Sequence, residues 1–350
     1  MTLPKGTIWQ EIRAKALSAI PIGCKSNFTK PISIRKWVDT GYFSVTHSGS
    51  GFVLTTNRED FGSALFGDAE HLMDHCTEQM AVTRWHIGRR EEQSTAWSFV
   101  TCYYWGFFSV LLLARLVGRV PMYLDRDHVN RLYSYASSQN PGTQIKRPSP
   151  GSYLLSSQCP SGSLDSVVNI EFKRDRMHEL AWRWLFQTIR EVLSNNSGSS
   201  LNAEEALLYN SIMESCTLLG DDWPSHIRNL INYRPGYAYG FNKSRCIQGA
   251  RSINIVASID GTYKEAIDSL DCDLSKLRPN KKQGETIKFD FTPASAGAVC
   301  SAVYSLSKLL FLISKELYLE IADRISSDNR FRVARERFLS SMKPENLVSS

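Results

Sequence analysis

The sequence lacks the local motifs that mark several common enzyme classes. It has no glycine-rich phosphate-binding loop, no GxSxG nucleophile elbow and no dinucleotide-binding fingerprint. Predicted strands and helices do not alternate as they do in a doubly wound α/β sheet. No repeat of fixed period is present. These absences exclude many familiar hydrolases, dehydrogenases and nucleotide-dependent enzymes.

Paired cysteines are also missing. The eight cysteines are scattered along the chain without a CxxC pair, which argues against a zinc ribbon and against a disulfide scaffold. Several of them fall within apolar helical patterns, where cysteine acts as a small hydrophobic residue. The N-terminus has no apolar run of the signal-peptide type. We therefore expect a reducing, cytoplasmic setting and no cofactor.

Excess charge is small and unevenly placed. The formal net charge of the 350 residues is +6, and residues 1–58 account for all of it, because they hold eight Lys or Arg side chains and two carboxylates. The rest of the chain is balanced. This basic segment suggests an acidic partner such as a nucleic acid. A solvated arm without a partner is the alternative.

A single long uncharged run stands out at residues 96–114. Its length is close to that of a membrane span. However, polar side chains lie in its interior, and its aromatic residues lie in the middle rather than at the two ends. A helix that is apolar on all sides is also what the centre of a large helical domain requires. A buried core helix is therefore favoured, with a membrane-associated protein as the alternative.

Hydrophobic periodicity predicts a mainly α protein, a helical bundle with small β-hairpin and β-ribbon insertions. Helices are predicted near residues 9–20, 68–90, 93–116, 126–136, from 177 onward, 202–219, 224–233, after Pro293 and 329–341. A hairpin is predicted over 41–56, a ribbon of 152–156 with 164–173, and further strands near 253–257 and 287–291.

The same pattern suggests three regions. Residues 1–62 form a basic N-terminal arm with a hairpin. Residues 63–239 form a helical core, interrupted by the ribbon at about 137–174. Residues 240–350 form a mixed segment followed by long C-terminal helices that pack on the core.

Two histidines have the spacing of a metal-chelating pair. His71 and His75 are four residues apart and lie on one face of a predicted helix. The pattern resembles the HxxEH helix of some metalloproteases, but Asp74 occupies the place of the required Glu. No distant third ligand can be identified. We expect no metal, with His71 and His75 as the candidate pair if one binds.

Three short elements, in order, resemble motifs of the HEPN superfamily, whose members are helical domains common in prokaryotic toxin–antitoxin and antiviral systems. One branch of that superfamily has a YYxxF helix, a His after the following Gly, and R-x3-D-Y near a later helix end. The matching residues are Tyr103, Tyr104 and Phe107, then His128, then Arg228, Asn232 and Tyr233. The resemblance covers about residues 64–136 and 175–239, and Asn232 replaces the Asp of the pattern.

The resemblance implies a protein that binds RNA or a nucleotide in bacterial defence or stress, as a homodimer or with a protein partner. If it cleaves RNA without a metal, Arg228 would hold the phosphate, with Tyr233 and His128 assisting. The ribonuclease branch uses R-x4-6-H, and here Tyr233, Arg234 and Pro235 occupy the His positions. Tyrosine, with an ordinary pKa near 10, is a poor general base at neutral pH. Binding is therefore expected more than cleavage.

Independently of any family, polar and aromatic side chains are concentrated after residue 227. Candidates for contacts with phosphate or nucleic acid are Arg228, Asn229, Asn232, Arg234 and Tyr237. Guanidinium groups and aromatic faces suit such contacts. The alternative is a non-catalytic scaffold or interaction subunit, in which Arg228 and Tyr233 merely brace the helix bundle.

Overall fold

The computed structural model describes residues 3–24, 33–88, 95–141, 147–160, 163–197, 202–233, 262–277 and 295–325. These residues form ten helices and five strands, which confirms the mainly α prediction. The helices are α1 (Thr7–Ala19), α2 (Ile34–Thr40), α3 (Arg58–Gly88), α4 (Thr95–Leu116), α5 (Arg126–Gln139), α6 (Met177–Asn195), α7 (Ala203–Leu219), α8 (Trp223–Tyr233), α9 (Tyr263–Leu277) and α10 (Ala296–Ile325). The strands are β1 (Ser44–Ser48), β2 (Gly51–Asn57), β3 (Arg119–Leu124), β4 (Gly151–Gln158) and β5 (Asp165–Lys173).

Helix α3 begins ten residues earlier than the hydrophobic pattern predicts. The side-chain oxygen of Asn57 accepts hydrogen bonds from the backbone N–H groups of Glu59 and Asp60, at 2.9 and 3.1 Å. This is an N-cap, and acidic side chains in the first turn are favourable at a helix N-terminus. The predicted start of α7 near residue 202 is confirmed, since the Asn202 side chain caps the helix by accepting hydrogen bonds from the backbone N–H groups of Glu204 and Glu205.

The predicted hairpin and ribbon are both present, but they belong to one antiparallel sheet with strand order β1-β2-β5-β4-β3. Strand β2 pairs with β5 and so joins the two insertions. Strand β3 was not predicted, because Gly118 and Pro121, which follow the predicted helix over 93–116, are residues that usually end a helix. It lies at the sheet edge, paired with β4, where proline is tolerated.

Helix α4 contains the long uncharged run and lies at the centre of the molecule. It packs against α3, α6, α8, α10 and β3, and Trp105 and Leu112 are almost completely buried. Among the described residues, two helical segments are long and apolar enough to cross a membrane: Ala96–Leu116 and Gly297–Ile325. Their most apolar windows are 89% and 78% buried within the protein, as expected of core helices.

The basic N-terminal segment is attached to the helical body. Helix α1 buries Ile8, Trp9 and Ile12 in the core. The buried carboxylate of Glu205 accepts hydrogen bonds from the N–H groups of Gly6, Ile8 and Trp9, at 2.7 to 3.3 Å, and so caps α1.

Part of the basic charge is neutralised within the molecule. Lys5 pairs with Glu316 at 3.2 Å, and Arg13 pairs with Glu320. Both glutamates belong to α10, so these pairs connect the two ends of the described chain. The predicted strands near 253–257 and 287–291 and the helix at 329–341 lie outside the described residues.

The cysteines that the structure describes are free thiols. Burial raises the pKa of Cys24 and of Cys76 to about 12. A thiol held neutral in this way is unreactive, because the thiolate is the nucleophile. These two residues thus behave as small hydrophobic side chains, which the sequence pattern predicted for Cys76 because it lies in a predicted helix.

Candidate functional site

Arg228 connects α8 to α4 at the surface of the helical core. Its Nη2 donates a hydrogen bond to the hydroxyl of Tyr104 at 2.7 Å, and its Nη1 donates to Oδ1 of Asn229 at 3.0 Å. The guanidinium carbon lies 5.7 Å from the ring centre of Tyr104 and 5.9 Å from that of Tyr233. Cation–π attraction between Arg and both rings holds the guanidinium in place.

The charge of Arg228 is not paired within the part of the chain that the structure describes. Among the residues that the structure describes, none places a carboxylate within ion-pair distance of this guanidinium. The Nε atom is buried and has no hydrogen-bond partner there. Arg228 itself is half-buried, while Tyr233 is 70% exposed. Within the described residues, the cluster therefore presents an unneutralised cation next to an exposed aromatic face.

A second hydrogen-bond network lies close to this cation. The indole Nε1 of Trp182 donates to the hydroxyl oxygen of Tyr103 at 3.2 Å, and that hydroxyl lies 2.8 Å from Nδ1 of His178. The Tyr103 hydroxyl thus joins Trp182 to His178, and which of Tyr103 and His178 donates in their shared bond depends on the tautomer of the imidazole. The ring of His178 stacks on Phe107, with the two centres 4.2 Å apart.

Burial and the nearby charge of Arg228 lower the pKa of His178 to about 4. Burial likewise raises the pKa of the Tyr103 hydroxyl well above its usual value. Both groups are therefore neutral at neutral pH. A histidine with so low a pKa is a weak general base at neutral pH, and its Nδ1 is already hydrogen-bonded to Tyr103. The arrangement suits binding of an anion better than proton abstraction.

The structure brings together most of the motif residues. Tyr104 contacts Arg228, Phe107 stacks on His178, and Tyr103 bonds His178 from below. The YYxxF spacing on α4 thus places these three side chains around one point where α4, α6 and α8 meet. Arg228 is supplied to this point by α8, more than a hundred residues later in the chain.

His128 lies elsewhere. It is in the first turn of α5, where its Nδ1 lies 2.7 Å from Oδ1 of Asp125 and its Nε2 lies 3.9 Å from Oδ1 of Asp39. No contact among the described residues joins it to Arg228 or Tyr233.

The remaining predicted residues are only partly placed. Asn229 bonds Arg228, as given above, and Asn232 is exposed at the end of α8. Arg234 and Tyr237 lie outside the described residues.

The histidine that does lie at the site is His178, which sequence reasoning did not single out. It is four residues before Trp182, so both side chains share one face of α6. That shared face was the available signal. What sets His178 apart from other histidines near a helix start is its hydrogen bond with Tyr103 on α4. The spacing of residues within α6 gives no information about that contact.

His71 and His75 lie side by side on α3, with their Nε2 atoms 3.1 Å apart. The ring of His75 stacks on Phe108, which in turn lies 5.8 Å from the ring of Tyr104. Among the described residues, no group of three or more His, Cys, Asp or Glu side chains could hold a metal ion.

No family model, curated protein or solved structure matches this chain. The resemblance to the HEPN superfamily therefore rests on the short sequence motifs. What the chain does has to be inferred from the residues that surround Arg228.

Proposed function

We propose that this protein binds RNA or a nucleotide through a phosphate group at Arg228. The observation that carries the proposal is the half-buried guanidinium, which has no carboxylate partner among the described residues and lies between the rings of Tyr104 and Tyr233. A cation in such surroundings favours an anionic ligand, because the ligand supplies the negative charge that the described residues do not.

The residue types suit a nucleotide. The planar guanidinium fork matches the oxygen geometry of phosphate. The exposed ring of Tyr233 offers a stacking surface, and base–aromatic stacking contributes about 1–3 kcal/mol per base. Tyr104 holds Arg228 through its hydroxyl oxygen, which fixes the direction of the guanidinium. Arg228 and Tyr233, which are both on α8, would thus provide the phosphate contact and the base stacking.

Binding without cleavage is the favoured activity. His178, with its pKa lowered to about 4 and its Nδ1 hydrogen-bonded to Tyr103, is a weak base at neutral pH. The resemblance to HEPN proteins adds a role in bacterial defence or stress, in a homodimer or with a protein partner, and these form part of the proposal. The cytoplasmic location also remains a prediction.

Fluorescence anisotropy with a labelled single-stranded RNA tests the proposal. Hydrogen bonds to a charged group contribute about 1.5–3 kcal/mol, so Arg228→Ala should weaken binding by roughly tenfold or more. The dependence of log affinity on log salt should become shallower by about 0.7 for each lost phosphate contact. Competition with free nucleotide then separates RNA binding from binding of a mononucleotide.

A matched control is Arg119→Ala, since Arg119 is a surface arginine whose charge is paired with Glu191 at 3.1 Å. Its removal should leave RNA affinity unchanged. An Arg228→Ala protein that keeps its helical circular dichroism and binds RNA as well as wild type would exclude this site.

A scaffold role is the second candidate, because the bond from Arg228 to Tyr104 bridges α8 and α4. In that case Arg228 serves packing alone. Thermal unfolding of Arg228→Ala and Tyr104→Phe distinguishes the two roles. Lower melting temperatures together with unchanged RNA affinity would favour the scaffold.

A further inference from the structure

We propose that His71 and His75 form a two-histidine chelate for a divalent transition-metal ion of the zinc class on α3. The pair lies outside the Arg228 cluster, and the proposal does not depend on RNA binding. It is based on the separation of the two ring nitrogens, on the contacts that orient one of the rings, and on the exposure of the other.

The separation of the nitrogens fits a shared ion. The two Nε2 atoms face each other at 3.1 Å. With Zn–N bonds of about 2.0–2.1 Å, this separation corresponds to an N–Zn–N angle of about 100°, between the octahedral and tetrahedral values. Without metal, the same distance accommodates one N–H···N hydrogen bond. An ion would replace that single proton with little movement of either ring.

His75 is oriented by its surroundings. Its ring stacks on Phe108, with centres 5.1 Å apart and planes 23° from parallel. Its Nδ1, the nitrogen that does not face His71, lies 3.7 Å from the carboxylate of Glu78. A carboxylate behind a ligating histidine is a common arrangement at zinc sites, where it orients the ring and makes the ligating nitrogen more basic.

The remaining ligands would be water. His71 is exposed and His75 is partly exposed, so the ion can enter from solvent. Within the described part of the chain, no third protein ligand completes the group. Imidazole ligands suit Zn²⁺, Ni²⁺ and Cu²⁺ and do not suit Mg²⁺ or Ca²⁺, which prefer oxygen. The predicted affinity is therefore moderate and selective for transition metals.

Isothermal titration of Zn²⁺ into the metal-free full-length protein at neutral pH tests the proposal. We expect one saturable site in wild type and no binding of Mg²⁺. His71→Ala and His75→Phe should each weaken Zn²⁺ binding by about tenfold or more, or about 1.4 kcal/mol. The double variant should bind little worse than either single variant, because removing one nitrogen already destroys the chelate. His75→Phe retains a ring to stack on Phe108, so the helix pair should remain folded.

The matched control is His86→Ala, which removes a histidine from the same helix and should leave Zn²⁺ affinity unchanged. Arg228→Ala should also leave it unchanged, which separates this proposal from the phosphate site. All eight cysteines remain in every variant. Zinc affinity that is unaffected by His71→Ala would show that other groups bind the ion and would overturn the proposal, as would the absence of Zn²⁺ binding in wild type.

Discussion

Tyr103 shows how one side chain organises the site. It is completely buried, yet its hydroxyl group accepts a hydrogen bond from Trp182 and shares another with His178. A buried polar group is tolerated only when it is hydrogen-bonded. The consequence is that His178 is held neutral and in a fixed orientation beside Arg228, so that Arg228 supplies the positive charge of this cluster.

The lowered pKa of His178 predicts a pH dependence of stability. In the unfolded chain, His178 takes up a proton near pH 6.5, whereas in the folded chain it does so only near pH 4. Between these pH values the unfolded state binds more protons, so the free energy of unfolding should fall as the pH falls from about 6.5 to about 4. The stability contributed by the neutral His178 should be fully present above pH 6.5.

Urea unfolding at several pH values measures this effect, and His178→Gln should lose less stability in that interval. Titration of the His178 ring proton by NMR gives a direct check. A midpoint close to 6.5 in the folded protein would contradict the buried, neutral histidine.

At the scale of elements, the contact between α4 and α10 depends on small residues. Gly106 faces Ser307, whose Cβ would lie 3.0 Å from any Cβ added to the glycine. The hydroxyl of Ser314 donates to the backbone oxygen of Ser109 at 2.9 Å, and that of Ser307 donates to Cys102 at 3.2 Å. The two most apolar helices thus approach closely at the centre of the core.

Gly106→Ala should destabilise the protein. The added methyl group would clash with Ser307, and overpacking costs about 1–3 kcal/mol, which exceeds the gain of about 0.5–1 kcal/mol from replacing a helical glycine. Urea unfolding measures the difference. Adding Ser307→Ala should restore part of the loss, because the hydroxyl is the closest atom.

Gly297→Ala is the matched control for this prediction. It lies on α10, the other helix of this pair, and a Cβ there meets no atom within 4 Å. It should be neutral or slightly stabilising. A Gly106→Ala protein that is as stable as Gly297→Ala would mean that α4 and α10 are less closely packed than described.

At the scale of the whole molecule, part of the N-terminal positive charge forms ion pairs within the protein. The N-terminal bases Lys5 and Arg13 pair with carboxylates of α10, and Glu205 of α7 caps α1. The first described helix is therefore bound to the last one and to the middle of the chain. Some of the N-terminal basic side chains are thus neutralised by carboxylates of the same protein. The net charge of +6 therefore gives little support to a nucleic-acid contact along the N-terminal segment.

The burial of α4 and α10 predicts how the full-length protein fractionates. Their most apolar windows are 89% and 78% covered by the protein itself, so little apolar surface is left for lipid. Expressed without detergent, the protein should remain in the supernatant after high-speed centrifugation. Recovery only after detergent extraction of the membrane pellet would favour the membrane-associated alternative.

Short sequence patterns predicted the helices and strands that depend on residues a few positions apart. Asn202 indicated the start of α7, the apolar stripe after Pro293 indicated α10, and alternation indicated β4 and β5. Strand β3 was missed because Pro121 usually interrupts a strand, and only pairing at a sheet edge makes it acceptable. The early start of α3 was missed because Asn57 ends a strand and caps a helix at the same time.

The sequence by itself determined that the chain is mainly helical, that residues 96–114 form a helix, and that Arg228 stands beside aromatic residues. Periodicity and spacing contain that information, because helix faces and caps depend on residues a few positions apart. Only the tertiary structure decided that Tyr103, Tyr104 and Arg228 meet His178, and that His128 lies elsewhere. The hydrogen bonds from Tyr103 to His178 and from Arg228 to Tyr104 join residues that are 75 and 124 positions apart, and such contacts depend on how the helices pack.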